Sequence, residues 1–135
     1  MYLLDTNVVS ELRRPRPHGA VLNWIADVPE EQLFVSAVTA GEIQRGIEIT
    51  REQDEAKADE LEAWLDQVLV SFSVLPMDAS AFREWARLMH RKSDAITEDA
   101  MIAATAAAHR LIVVTRNVSD FLQLDVDFLN PFEAG

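Results

Sequence analysis

At 135 residues with 49% hydrophobic side chains, the chain is one domain in length and has enough apolar material for a full core. A disordered tail, a small stapled scaffold and a multidomain machine are thereby excluded. Twelve Lys and Arg against 23 Asp and Glu give a formal charge of −11, a balance that on its face argues against a nucleic-acid partner.

Tyr2–Leu4 is a short apolar run that stops at Asp5-Thr6-Asn7, the pattern of a buried strand followed by a helix start. A helix is predicted over Ala20–Ala26, with apolar positions at Val21, Leu22, Trp24 and Ile25 and ended by Pro29. Leu33–Ser36 reads as a strand and Val38–Ile49 as a helix with Ala40, Ile43 and Ile47 on one face. Glu52–Val70 reads as a long charged helix burying Leu61, Trp64, Leu65 and Val68. Ser73–Leu75 is a further strand, and Phe82, Trp85, Ala86 and Met89 mark the inner face of the next helix. Ala100–Ala108 is apolar almost all round, as in a fully buried helix. Leu111–Val114 is the clearest strand, and Val126–Leu129 a last short one. Strands alternating with helices predict an α/β fold, a mainly parallel sheet flanked by helices, in a single domain over 1–135. In such sheets sites form at the carboxyl ends of the strands.

The acids sit where that rule says to look. Asp5 follows the first strand directly, where capping a helix is the ordinary job of an aspartate. Glu42 lies among the small or apolar Ala40, Gly41 and Ile43, early in the helix after the second strand. Asp99 stands beside Glu98 at the mouth of the buried helix, with Thr97 as its expected cap. Asn117 and Asp120 follow the clearest strand, in a stretch that suits an Asx turn or an N-cap. Each has a structural explanation taken singly. Together, three carboxylates and an Asn/Asp pair fall at one sheet edge, with no histidine near them. The absence of cysteine excludes disulfides and thiolate sites, so hard oxygen ligands for Mg²⁺ or Mn²⁺ are the natural reading. Such an ion suits phosphodiester chemistry.

The stretches Leu3–Leu12, Val38–Ile43, Asp99–Ala106 and Val114–Phe121, in this order and spacing, resemble a PIN domain. The likeness is nearest to VapC-type toxins of bacterial toxin–antitoxin pairs, in their FitB-like branch, and extends to Trp24 and the closing Asn130-Pro131-Phe132. The resemblance implies a Mg²⁺- or Mn²⁺-dependent ribonuclease, a homodimer, held inactive by a cognate antitoxin in a larger toxin–antitoxin assembly. It places Asp5, Glu42 and Asp99 at the family's metal-binding acids. The fourth acidic position falls at or near Asn117, where some relatives carry Asp, and Asp120 stands three residues on to supply the charge. Thr6, Asn7 and Thr115 are implied to orient ligands or touch phosphate.

Arg13, Arg14 and Arg16 cluster around Pro15 and Pro17 and, with Arg116, are candidate RNA-backbone contacts; a solvated turn or an antitoxin dock explains the cluster equally well. Arg116 is a second candidate role-player, orienting phosphate or neutralising Asp120. His18, His90 and His109 show no ligand spacing and read as surface or packing residues. A receiver domain would need paired acids at Asp5, and a haloacid-dehalogenase-type phosphatase an Asp where Asn7 stands. A catalytically silent partner of the same fold is opposed by the intact Asp5, Glu42 and Asp99. No stretch approaches the roughly 18 apolar residues of a membrane span, nor does the start resemble a signal peptide, so a cytoplasmic protein is expected.

The charge is unevenly spread. Residues 48–66 hold eight acids against Arg51 and Lys57. With that segment and Asp5, Glu42, Asp99 and Asp120 set aside, 11 acids face 10 bases. The acidity therefore belongs to one outer helix and one proposed cation pocket, and does not exclude RNA.

Overall fold

The computed structural model describes residues 1–133, so the last two positions of the predicted domain lie outside the described residues. Five strands, β1 (Tyr2–Leu4), β2 (Leu33–Ser36), β3 (Ser73–Leu75), β4 (Ile112–Val114) and β5 (Phe128–Leu129), form one sheet in the order β3-β2-β1-β4-β5. Every pairing is parallel, with Leu4 opposite Val35 on one side and Val114 on the other. The chain therefore winds outward from β1 to β2 and β3, then returns to build β4 and β5 on β1's other flank. The reversal falls between β1 and β4, where ligand crevices open in parallel sheets.

Among the described residues seven α-helices cover the sheet: α1 (Thr6–Glu11), α2 (Gly19–Asp27), α3 (Ala37–Arg51), α4 (Glu55–Ser71), α5 (Ala79–Met89), α6 (Thr97–His109) and α7 (Val118–Leu122). Alternation along the strands sets the two layers. Leu3 and Val113 face a core made with α5, α6 and α7, where Ala100, Ile102, Ala103 and Phe121 are buried. Leu4, Val35 and Val114 face the opposite core with Val8, Val9, Val21 and Val68 of α1, α2 and α4. This is the helix–sheet–helix arrangement expected from the sequence.

Local chemistry sets the ends. Ser36 caps α3 through its hydroxyl to the Val38 N–H (3.0 Å). The helix predicted from Glu52 begins instead at Glu55, because α3 runs on to Arg51 and the Asp54 carboxylate accepts the Lys57 N–H at 3.0 Å. Arg51 then ties α3 to α4, donating to Glu48 (3.1 Å), Asp59 (2.7 Å) and Glu62 (3.1 Å), which gives the acidic stretch a structural use.

Three further expectations are corrected. Thr97 is the first residue of α6 and not its cap; its hydroxyl donates back to the Asp94 carbonyl at 2.7 Å. Phe82 is 47% exposed and Ala86 also faces solvent, because α5 packs on α6 through Trp85, Leu88 and Met89 with Ala81 buried. Ala107 and Ala108 are exposed, so α6 is buried only as far as Ala106. Among the described residues no helix is long and apolar enough to cross a membrane.

Candidate active site

Asp5 is both cap and site. Its backbone extends the β1–β4 ladder, the Asp5 N–H donating to the Val114 carbonyl at 2.9 Å. One carboxylate oxygen accepts the Thr6 N–H (2.8 Å), opening α1. The other accepts the Thr115 hydroxyl (2.7 Å) and the Asn7 side-chain amide (3.1 Å). Asp5 is only 3% exposed, and burial raises its proton affinity above the ordinary value although all three hydrogen bonds favour the anion; the charge of Asp120 adds to the rise.

Glu42 reaches the same crevice from the second turn of α3. Its Oε1 accepts the Thr6 hydroxyl at 2.9 Å, and that hydroxyl also meets Thr39 at 2.9 Å. Burial again raises the proton affinity, with the charges of Asp5 and Glu98 contributing. Thr39, fully buried in the first turn of α3, was not singled out from sequence. Its signal is available only once Thr6 is known to lie beside it.

From the other flank, Asp99 projects from the first turn of α6 and Asp120 from that of α7. Asn117 stands at the N-cap of α7 but does not cap with its side chain. Its amide nitrogen donates instead to both Asp99 (3.1 Å) and Asp120 (3.0 Å), bridging two neighbouring carboxyls. Burial, the neighbouring Asp120 carboxyl, and the charges of Asp5 and Glu42 push Asp99 up to about 7. Thr115 joins the two flanks, donating to Asp5 and accepting the Asn117 N–H at 2.9 Å. Asn7 completes the join, its side-chain oxygen accepting the Arg116 N–H at 3.1 Å.

The fold thus gathers Asp5, Thr6, Asn7, Glu42, Asp99, Thr115, Asn117 and Asp120 at the switch point. None of the ion pairs among the described residues uses the four acids Asp5, Glu42, Asp99 and Asp120. The pocket is therefore anionic and uncompensated. Also among the described residues, no three acidic or histidine side chains close into a ready-made ligand set. Mg²⁺ and Mn²⁺ accept such an open frame, because Mg²⁺ keeps several waters and takes few carboxylates. The oxygen-only donors and their raised proton affinities fit such an ion.

The arginines divide. Arg13 lines a cleft that begins at Thr6 and Glu42. Arg14 turns away to the buried Glu11 (3.5 Å), whose other oxygen accepts the His18 N–H at 3.0 Å. Arg116 does not neutralise Asp120; its guanidinium lies over the Phe132 ring, 4.3 Å from the centroid. His18 packs edge-on against the same ring and caps α2 through Nδ1, consistent with a packing role.

Thr115→Val is expected to cost about 2 kcal/mol, since it strips a donor from buried Asp5 and leaves the Asn117 N–H unpaired. A lowered thermal midpoint together with a roughly 10- to 100-fold loss of activity checks the orienting role. Thr115→Ser should restore both.

The PIN domain family matches residues 2–126. The VapC ribonuclease Y4jK of Sinorhizobium fredii is 36% identical, covering 98% of this chain and 99% of its own length. Toxin FitB of Neisseria gonorrhoeae is 35% identical, covering 98% of this chain and 99% of its own. The crystal structure of FitAcB from Neisseria gonorrhoeae superposes with a TM-score of 0.86 at 35% identity, over 98% of this chain and 99% of that one. A match over nearly the whole chain, in family model, relatives and solved fold alike, makes this protein a member of the PIN-domain family.

Proposed function

We propose that this chain is the ribonuclease toxin of a toxin–antitoxin pair, hydrolysing RNA phosphodiester bonds with Mg²⁺ or Mn²⁺ in the acidic pocket. The observation that carries the reading is the gathering of Asp5, Glu42, Asp99 and Asp120 at the sheet's switch point with no basic partner. Its support is the similarity to proteins named as a VapC ribonuclease and as a toxin. Asp5, Glu42 and Asp99 would hold the ion, with Asn117 and Asp120 bordering it. When bound, the ion supplies charge to the phosphoryl oxygens and acidifies water for attack on phosphorus.

The chain's own residues prepare that site. Thr6 and Thr115 fix the carboxylates of Glu42 and Asp5 by donating to them. The Asn117 amide bridges Asp99 and Asp120 and holds both in place. Burial and the neighbouring carboxyls raise the proton affinity of Asp99, and a cation in the pocket would favour its anion. Arg13 lies at the edge, placed to meet the backbone of the RNA. A nuclease of this kind works in the cytoplasm, needs a cognate antitoxin to hold it silent, and acts as a homodimer within a toxin–antitoxin assembly. Exposed Leu22, Val70, Phe82 and Leu122 leave apolar side chains for such contacts.

Inducing the chain alone should arrest growth and produce discrete RNA cuts, and co-inducing the neighbouring reading frame should prevent both. Purified protein should cut RNA with Mn²⁺ and stop on addition of a chelator. RNA left intact in cells and in vitro sinks the reading.

A further inference from the structure

Beside the acidic pocket lies a cleft of about 270 Å³ between α1, α3 and α4. It starts at Thr6 and Glu42, which are hydrogen-bonded to each other (2.9 Å) and also border the acidic pocket, so the cleft adjoins the pocket across this pair. Its walls are the apolar faces of Ile43, Leu61 and Trp64, and Arg13 stands in its lining. Among the described residues Arg13 makes no ion pair. A second cleft of about 320 Å³ shares Arg13, Leu61 and Trp64 and extends to Lys57, whose ammonium is paired with Glu60 of the same cleft at 3.2 Å.

We propose that the cleft beside Glu42 is a subsite for one unstacked base of the RNA next to the scissile phosphate, with Arg13 holding the backbone that follows. The proposal rests on the nuclease reading above and names where its substrate lies. Four observations converge on this occupant. Glu42 belongs to both cleft and acidic pocket, which puts whatever fills the cleft beside the proposed site of cleavage. Apolar walls including an indole suit a base, which single-strand readers bind against aromatic side chains. The volume of about 270 Å³ has room for one planar ring system. An unpaired arginine complements a phosphodiester and, being planar, grips it bidentately.

Gly46 sharpens the inference. It lies in the interior of α3, where glycine is unfavourable, and it lines the cleft. A Cβ built there meets nothing within 4 Å. A larger residue therefore enters open space, improves the helix and fills the cleft, while every acid stays in place.

Gly46→Leu is thus the test, since the variant should fold with an equal or higher thermal midpoint. Wild type is first given a random single-stranded oligoribonucleotide pool with Mn²⁺, and the cuts are mapped. An oligoribonucleotide spanning the commonest cut is then compared with versions made abasic at each flanking position. Gly46→Leu should raise KM about 10-fold or more with kcat nearly unchanged, the scale of one lost base contact. One abasic position should cost wild type about as much, and combining that substrate with the variant should add little, because both remove the same contact. The same loss should appear in the binding of a fluorophore-labelled oligoribonucleotide in an Asp5→Asn background. If wild type cuts and Gly46→Leu keeps its KM, the subsite is wrong and the nuclease stands. If KM holds but the variant loses its grip on the antitoxin protein, the cleft belongs to that partner and the subsite is again overturned. If wild type cuts no RNA, the nuclease reading fails and takes the subsite with it.

Discussion

Asp5→Asn is expected to reduce metal-dependent RNA cleavage by at least about 100-fold while leaving a folded protein. The substitution keeps the size of the side chain and removes its charge. At Asp5 that charge is buried, and its proton affinity is raised by the burial and by Asp120. Losing it therefore relieves repulsion in the metal-free pocket. Against this, one amide face must now turn a donor toward either the Thr6 N–H or the Thr115 and Asn7 donors, so one hydrogen bond is lost. The two effects oppose each other at about 1 kcal/mol each, which predicts a nearly unchanged thermal midpoint. Circular dichroism separates the outcomes. Full cleavage by the variant refutes a catalytic role for Asp5, and an unfolded variant would make it a structural cap first.

The second large effect is on pH and metal together. Asp5, Glu42 and Asp99 all hold protons more tightly in the folded chain than free carboxyls do, Asp99 up to about 7. Folding therefore takes up protons in the window between the ordinary carboxyl range and pH 7. The stability these groups contribute is present below about pH 4 and is lost as pH rises through the folded values. The acids that face Asp99 are Asp5, Glu42 and Asp120, and Glu98 faces Glu42, so no nearby base reverses the sign. Metal-free protein should melt at a lower temperature at pH 8 than at pH 5.5. Saturating Mn²⁺ should raise the midpoint most at pH 8, where its ligands are already deprotonated. The Asp99→Asn variant should lose most of both responses. A metal-free midpoint that climbs from pH 5.5 to pH 8, or a larger Mn²⁺ shift at the acid end, contradicts the pocket's electrostatics.

Much of this was legible from the sequence, for reasons that differ by element. Tyr2–Leu4, Leu33–Ser36 and Ser73–Leu75 are read to the residue because each short run ends at a polar residue or a proline. β4 starts at Ile112 and not at Leu111, because Leu111 still belongs to the turn leaving α6, its N–H donating to the Ala106 carbonyl at 2.8 Å. Phe82 misled because periodicity gives the spacing of a face, not which flank a neighbour covers; only the α5–α6 packing decides that. The acids were found because they sit just past strands, where topology concentrates sites. Their connections were not. The Thr115–Asp5 bond spans 110 residues, and the double donation by Asn117 requires α6 and α7 to be docked. The open face of Gly46 is likewise invisible until α4 lies across α3.

The sheet order also carries a consequence for when the protein becomes dangerous. Since β1 lies between β2 and β4, the first strand made acquires its second neighbour only after the chain has passed residue 114. Asp5 emerges early during synthesis but waits for Thr115, Asn117 and Asp120 to be built. Non-local pairing of this kind is intrinsically slow to form. A nascent chain on the ribosome therefore carries Asp5, Glu42 and eventually Asp99 without an assembled pocket, amid the ribosome's own RNA. The pocket is complete only once Thr115, Asn117 and Asp120 have been made and docked, which gives a partner made alongside it time to be present first.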